Sequence, residues 1–233
     1  MQSGTCGENL TWKLEDGTLT ISGAGAMENY TWTKKAAWSE QRNLIKKVVI
    51  ENGVTSIGDS AFEYCKRLSE IKISASVALI GWHAFLGCKN LTAVKIPDSV
   101  KEIGEHTFFG CARLTTIKLP DGIKEIGNEL FGECLSLKDI EIPAGVTKIG
   151  DFAFSSCVSL TAIKLPDGVT KIGYLAFSGC IGLEEIKIPR NIEIFDAGVF
   201  EDCISLKKIY YPASFDFDGK LEDEGSNAQL VPY

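Results

Sequence analysis

Along most of the chain, apolar and polar residues alternate in short runs, and the runs return at a fixed step. Leu114-x-x-Ile117-x-Leu119 is one of them; counterparts begin at Leu68, Leu91, Leu137, Leu160 and Leu183, each 23 residues from the next. Apolar side chains at every second position predict a half-buried strand. Proline closes the run at Pro97, Pro120, Pro143, Pro166, Pro189 and Pro212, because it has no N–H to add to a ladder. A turn then leads to Val/Ile-x-x-Ile-Gly, predicted as a second short extended piece. Its glycines, from Gly58 to Gly173, suit a backbone corner that a side chain would obstruct. The following x-x-Ala-Phe-x-x-Cys has helical spacing but room for only a turn or two.

The whole unit reads L-x-x-I-x-I-P-x-x-V-x-x-I-G-x-x-A-F-x-x-C-x-x. Seven copies run from Ile45 to Ser205, and an eighth begins at Leu206. Phenylalanine keeps its place from Phe62 to Phe200, and cysteine from Cys65 to Cys203, always 23 residues apart. A single copy cannot bury its apolar face, whereas stacked copies bury a continuous column. The prediction is a β-rich solenoid, a right-handed coil with short helical or 3-10 turns, whose strands form a parallel β-ladder about 4.8 Å apart. Upstream, Leu10, Trp12 and Leu14 alternate on one side of Glu15-Asp16-Gly17, and Leu19 and Ile21 on the other. That is a hairpin signal, placed where the first coil needs a cover, and Trp38 is expected to pack there. The expected divisions are 1–44, an N-terminal β-hairpin cap; 45–205, the repeats; and 206–233, a partial repeat, a C-terminal cap and an acidic, solvated tail.

The repeat with I-P, I-G and A-F-x-x-C resembles the BspA-type leucine-rich repeats of bacterial surface proteins. The segment TCGENLTWKLEDGTLTISGAGAMENY resembles the stretch that precedes the first repeat in that family; Ala37 departs from it, standing where a proline is usual before the tryptophan. The resemblance implies a leucine-rich repeat solenoid in an exported or cell-surface protein. Some relatives are adhesins that bind host matrix proteins or other cells.

Composition narrows the function classes. The chain of 233 residues is 45% hydrophobic and 24% charged, with a formal net charge of −7. That balance is globular and argues against a nucleic-acid surface, which needs a basic face. No apolar run reaches the length of a membrane span. MQSGTCGENL lacks the basic head and apolar core of a secretory signal, which leaves an intracellular protein or one that starts where a signal was removed. Seven of the eight cysteines share one column, where vertical neighbours point the same way. A buried stack of thiols is the simplest reading; paired bridges, or Cys6 joined to a repeat cysteine, are the alternatives. No C-x-x-C is present for zinc.

Chemistry is sparse. His83 and His106, the two histidines, share a column with Ser60 and Glu129. Two imidazoles and a carboxylate suggest a metal, but Glu129 lies two coils from His83. A Ser60–His83 nucleophile lacks an orienting carboxylate and an oxyanion hole. No catalytic residue, metal or cofactor is expected. The partner-binding candidates are outward strand residues: Lys72, Lys95, Lys118, Glu141, Lys164, Lys187 and Tyr210, with Glu141 able to pair with Lys118 and Lys164. The competing reading makes them merely soluble strand residues. Leu79, Trp82, Leu86 and Phe109 form a second, apolar candidate beside the histidines, though such residues commonly fold back on their own coil. The sequons at Asn9, Asn29 and Asn90 read as accidental. The function expected is non-enzymatic protein binding by an extracellular or cell-surface monomer, with a host matrix or another cell surface as partner; the alternative is a rigid spacer.

Overall fold

The computed structural model describes residues 1–218 and 228–233. The chain winds as a parallel β-solenoid of about eight coils. One wall carries the strands Lys47–Ile50, Glu70–Lys72, Ala93–Lys95, Thr116–Lys118, Glu185–Lys187 and Lys208–Tyr211. Their register advances by one repeat per coil, as in Thr116↔Ala93 and Lys187↔Tyr210. The second wall is built from short strands, including Glu125–Ile126, Lys148–Ile149 and Lys171–Ile172, also paired in parallel. The prolines do end the main strands, and the Ile-Gly segments are extended.

The third side is the one that local spacing described least well. Its short turns are not helical: N–H groups of alternate residues, Ser60, Phe62 and Tyr64, donate to Trp82, Ala84 and Leu86 in the next coil at 2.7–2.8 Å. The residues between them close four-residue turns within the coil, Ala61 to Gly58 O and Cys65 to Phe62 O. Each turn places a positive φ at its third residue, as type II geometry requires. One such column runs Ser60, His83, His106, Glu129, Phe152, Leu175, Gly198, with φ of 50–67°. The other runs Tyr64, Gly87, Gly110, Glu133, Ser156, Gly179, Asp202, at 54–70°. A 3-10 helix occurs at Ser39–Gln41, before the first coil.

Inside, the repeated phenylalanines stack from Phe62 to Phe200 with ring centroids 5.3–5.9 Å apart and near-parallel planes. Beside them, each cysteine from Cys88 onward donates its S–H to the carbonyl of the phenylalanine 26 residues earlier, at 3.2–3.4 Å. The corner glycines, Gly127 excepted, are steric necessities. A Cβ on Gly150 would lie 2.6 Å from Asn128 Oδ1 and 2.7 Å from Asn128 N. Asn128 occupies that space because its Oδ1 accepts the N–H of Asp151, and Asp151 Oδ1 in turn accepts that of Tyr174.

The first coil is covered by three antiparallel strands: β1 (Gln2–Gly7), β2 (Leu10–Glu15) and β3 (Thr18–Gly23), with β3 parallel to Lys47–Ile50. The hairpin signal corresponds to β2 and β3. β1 was not foreseen, because Gln2–Gly7 buries only Cys6 and owes its extension to the edge of β2. Trp38 stacks on Phe62 at 5.6 Å, meets Trp12 and Tyr30 edge-on, and donates its indole N–H to Ala61 O. At the far end Phe195 replaces the usual isoleucine and packs against Phe200 and Phe217. The expected tail differs from what is found: Gln229–Pro232 returns as a strand parallel to Lys208–Tyr211, supplying partners to an otherwise open edge. Residues 219–227, where the acidic stretch continues, lie outside the described residues.

Candidate functional site

The period-two pattern that buries Val94, Ile117 and Ile186 turns the intervening lysines outward. Lys95 and Lys118 are direct register partners on adjacent strands, and Lys72 occupies the same position one coil earlier. A groove of about 650 Å³ follows these three, with Ile73, Ile96 and Ser99 among its lining. Farther along the wall a groove of about 1080 Å³ takes in Glu141, Lys164, Lys187 and Tyr210. The candidate strand residues therefore divide between two neighbouring depressions.

The lysines differ in their partners along the coil. Four lysines meet a carboxylate of the adjoining coil: Lys47 with Glu70 at the start of the wall, Lys148 with Glu125, Lys171 with Asp196 and Lys207 with Glu184, at 2.5–3.5 Å. Among the described residues, Lys72, Lys95, Lys118 and Lys164 form no ion pair. The pairing expected of Glu141 is not made, although Glu141 and Lys164 are bridged in register. Such a contact between exposed groups would contribute only about 0–1 kcal/mol, so little stability is lost by its absence. Lys187 is held differently: its Nζ lies 4.2 Å from the centre of the Tyr233 ring, and Arg190 lies 5.6 Å from it. Tyr233 donates its hydroxyl to Ile188 O at 2.6 Å. Neither Arg190 nor Tyr233 was a sequence candidate, because Tyr233 reaches the groove only through the returning strand.

On the turn side, the column that holds Ser60, His83, His106 and Glu129 obeys a common backbone demand, the positive φ that runs from Ser60 to Gly198. His83 and His106 stack face to face, centroids 4.8 Å apart and planes 18° from parallel. Their nitrogen lone pairs lie in those near-parallel planes and cannot converge on a single ion. His106 Nε2 is instead 3.2 Å from Glu129 Oε1, while His106 Nδ1 is buried without a hydrogen-bond partner. Burial, reinforced by His106, pushes the pKa of His83 below its ordinary value. Among the described residues no group of three or more metal-binding side chains is assembled.

Trp82 and Phe109 bridge coils. A Cβ on Gly104 would strike the Trp82 indole, and one on Gly132 would meet the Phe109 ring at 2.8–2.9 Å. These aromatics lie on glycines of the following coil and owe their position to them. Trp82 remains 50% exposed, whereas Phe109 is half-buried. Leu79 and Leu86 are half-buried as well.

All eight cysteines are free and buried. Burial pushes the thiols of Cys65, Cys111 and Cys157 up to about 12, which keeps the nucleophilic thiolate scarce at neutral pH. Cys6, set apart from the column, is raised likewise, by burial and then by Glu28.

The BspA type Leucine rich repeat region matches this chain in six copies over residues 34–140 and 101–220. No curated protein matches it. Among solved structures, the T. pallidum Leucine Rich Repeat protein is 25% identical, with coverage of 98% of this chain and 99% of its own and a TM-score of 0.56. A leucine-rich repeat protein from Eubacterium ventriosum is 24% identical over 92% of this chain and 73% of that one, with a TM-score of 0.55. A leucine rich cell surface protein from Faecalibacterium prausnitzii is 20% identical over 100% of this chain and 95% of that one, with a TM-score of 0.51. The last two speak to the fold alone.

Proposed function

The chain belongs to the BspA-type leucine-rich repeat family, and we propose that it is a non-enzymatic binding module that takes an acidic, extended segment of another protein on its main strand wall. The observation that carries this reading is the row Lys72, Lys95 and Lys118, one exposed lysine per coil with Lys95 and Lys118 in direct register and none of the three ion-paired, along a single groove. Exposed like charges about 4.8 Å apart repel by roughly 1 kcal/mol per neighbouring pair in water. An anionic partner relieves that repulsion while it gains attraction. Ile71, half-buried in the same groove, adds apolar contact. Glu141, Lys164, Lys187 and Tyr210 extend the surface with mixed charge, which gives the partner register as well as affinity. Trp82 and Phe109 offer a second, apolar contact on another side of the coil.

The setting that accords with family membership is the cell surface or the extracellular space, with a host matrix or a neighbouring cell as the source of the partner. No helix among the described residues is long and apolar enough to cross a membrane.

The test is affinity capture from the native surroundings by the wild-type chain and by a Lys72→Glu, Lys95→Glu, Lys118→Glu variant. The variant should retain the melting temperature within a few degrees and lose at least tenfold in affinity for the captured partner. Binding by wild type should weaken as salt rises, as expected of exposed charges. A triple variant that captures the same partner with the same affinity refutes the strand-wall reading and leaves the rigid-spacer role in its place.

A further inference from the structure

The position immediately after the repeat cysteine carries a second, independent signal. In coils one and two it holds Lys66 and Lys89, both exposed. In coil three it holds Ala112, and in coils four to seven Leu135, Val158, Ile181 and Ile204. Leu135 is 42% exposed, Ile181 41% and Ile204 78%, and Val158 is half-buried.

The backbone at this position is the same for the two lysines and for Val158, Ile181 and Ile204. The N–H of Lys66 closes a tight turn onto Tyr64 O and that of Lys89 onto Gly87 O. The N–H groups of Val158, Ile181 and Ile204 make the same bond to Ser156, Gly179 and Asp202, all at 2.7–2.9 Å. A hydrogen bond from residue i+2 back to residue i fixes the backbone at the intervening cysteine, so the chain enters the position alike in these coils. Since lysine fits the site in two coils, the fold itself does not demand an apolar residue there. Four in succession, three of them exposed and Val158 half-buried, call for a contact outside the coil. The residues that follow them are small, Ser136, Ser159, Gly182 and Ser205, so the aliphatic groups stand as a ridge.

We propose that this ridge is a self-association surface, on which two copies of the chain pair ridge to ridge. Spacing selects the occupant. The ridge repeats once per coil, about every 4.8 Å. A helix offers one apolar group per turn of about 5.4 Å and drifts out of step by nearly 2 Å over four groups. A strand repeats on one face at about 6.6–6.8 Å and drifts at once. A second copy has the same period and stays in register along the whole ridge. Four aliphatic residues per side fall well short of the roughly 800 Å² per partner of a standard stable interface. The dimer is therefore weak and reversible, and because the chain carries a net charge of −7 it strengthens when salt screens repulsion.

Sedimentation of the wild-type chain over a concentration series up to the millimolar range tests this against an Ile181→Lys, Ile204→Lys variant, which restores the residue type of coils one and two. A Leu135→Lys, Ile181→Lys variant serves if the first pair fails to fold, with circular dichroism to confirm the fold. The expected result is a wild-type mass that rises toward the dimer with concentration and with salt, and a self-dissociation constant at least tenfold larger in the variant. The strand-wall lysine variant should dimerise like wild type, which separates this surface from the one proposed above. A wild type that stays monomeric overturns the proposal and hands the ridge to a different partner. Equal dimerisation of the ridge variant overturns it too, by placing the contact elsewhere.

Discussion

At the scale of single residues, the turn side is governed by close approach and by left-handed backbone. Gly150 and Gly127 occupy the same repeat position, yet their surroundings differ. At Gly150 a Cβ would meet Asn128 N at 2.7 Å, a backbone atom that cannot retreat; at Gly127 the nearest atom is Glu105 Cγ at 3.6 Å. Gly150→Ala should therefore cost about 1–3 kcal/mol, the range for an overpacked site. Gly127→Ala should be neutral or stabilising by up to about 1 kcal/mol, because it restricts only the unfolded chain. Urea melts of the two variants check the contrast, and equal losses would contradict it. His83 gives a pH effect. Its folded pKa lies below the ordinary value, through burial first and His106 second, so protons bind the unfolded chain better. Its contribution to stability is complete above the unfolded pKa, about 6.5, and is lost as pH falls through that value toward the folded one. His83→Asn keeps a side chain that tolerates positive φ and should flatten the stability loss between pH 7 and 5. Identical pH profiles for variant and wild type would rule this out.

At the scale of elements, each end of the column needs a cover, and Trp38 is the one that seals the first coil. It continues the phenylalanine stack onto Phe62 while Trp12 and Tyr30 meet it edge-on, and its indole N–H is satisfied by Ala61 O. Trp38→Ala should destabilise the chain by about 3–5 kcal/mol, as truncation of a buried aromatic does. Because each coil contacts only its neighbours, fraying should begin at Cys65, and this thiol should react with a maleimide before those of the central coils. Uniform labelling of all the repeat cysteines would argue against an end-first opening. Gln229–Pro232 covers the opposite edge by parallel pairing, with Pro232 as its last strand residue, so the two ends are closed by different devices.

At the scale of the whole molecule, a regular stack converts sequence columns into surfaces. Lysines in one column become a basic row on a chain whose net charge is −7, and aliphatic residues in another become a ridge. The two surfaces differ in physical character, and salt distinguishes them. Binding on the lysine row should fall as ionic strength rises, by screening, whereas self-association along the ridge should hold or increase. Titrations of both at low and high salt test the assignment, and a common response would mean that one surface serves both contacts.

What the sequence alone determined was whatever depends on period and polarity. The 23-residue step, the buried leucine, phenylalanine and cysteine columns, the outward lysines and the hairpin around Glu15-Asp16-Gly17 were legible, because a repeated side chain must meet its own copy when coils stack. Tertiary structure alone decided the turn side. Only three of seven residues in one left-handed column, and one of seven in the other, are glycine, so the backbone demand is hidden where Ser, His, Glu or Tyr carries the strain and hydrogen bonds between coils hold it. Local signals likewise said nothing of β1, of the strand Gln229–Pro232 or of Tyr233 over Lys187. Those placements follow from which sheet edges were left open once the column was built, a property of the assembled coil and of no segment within it.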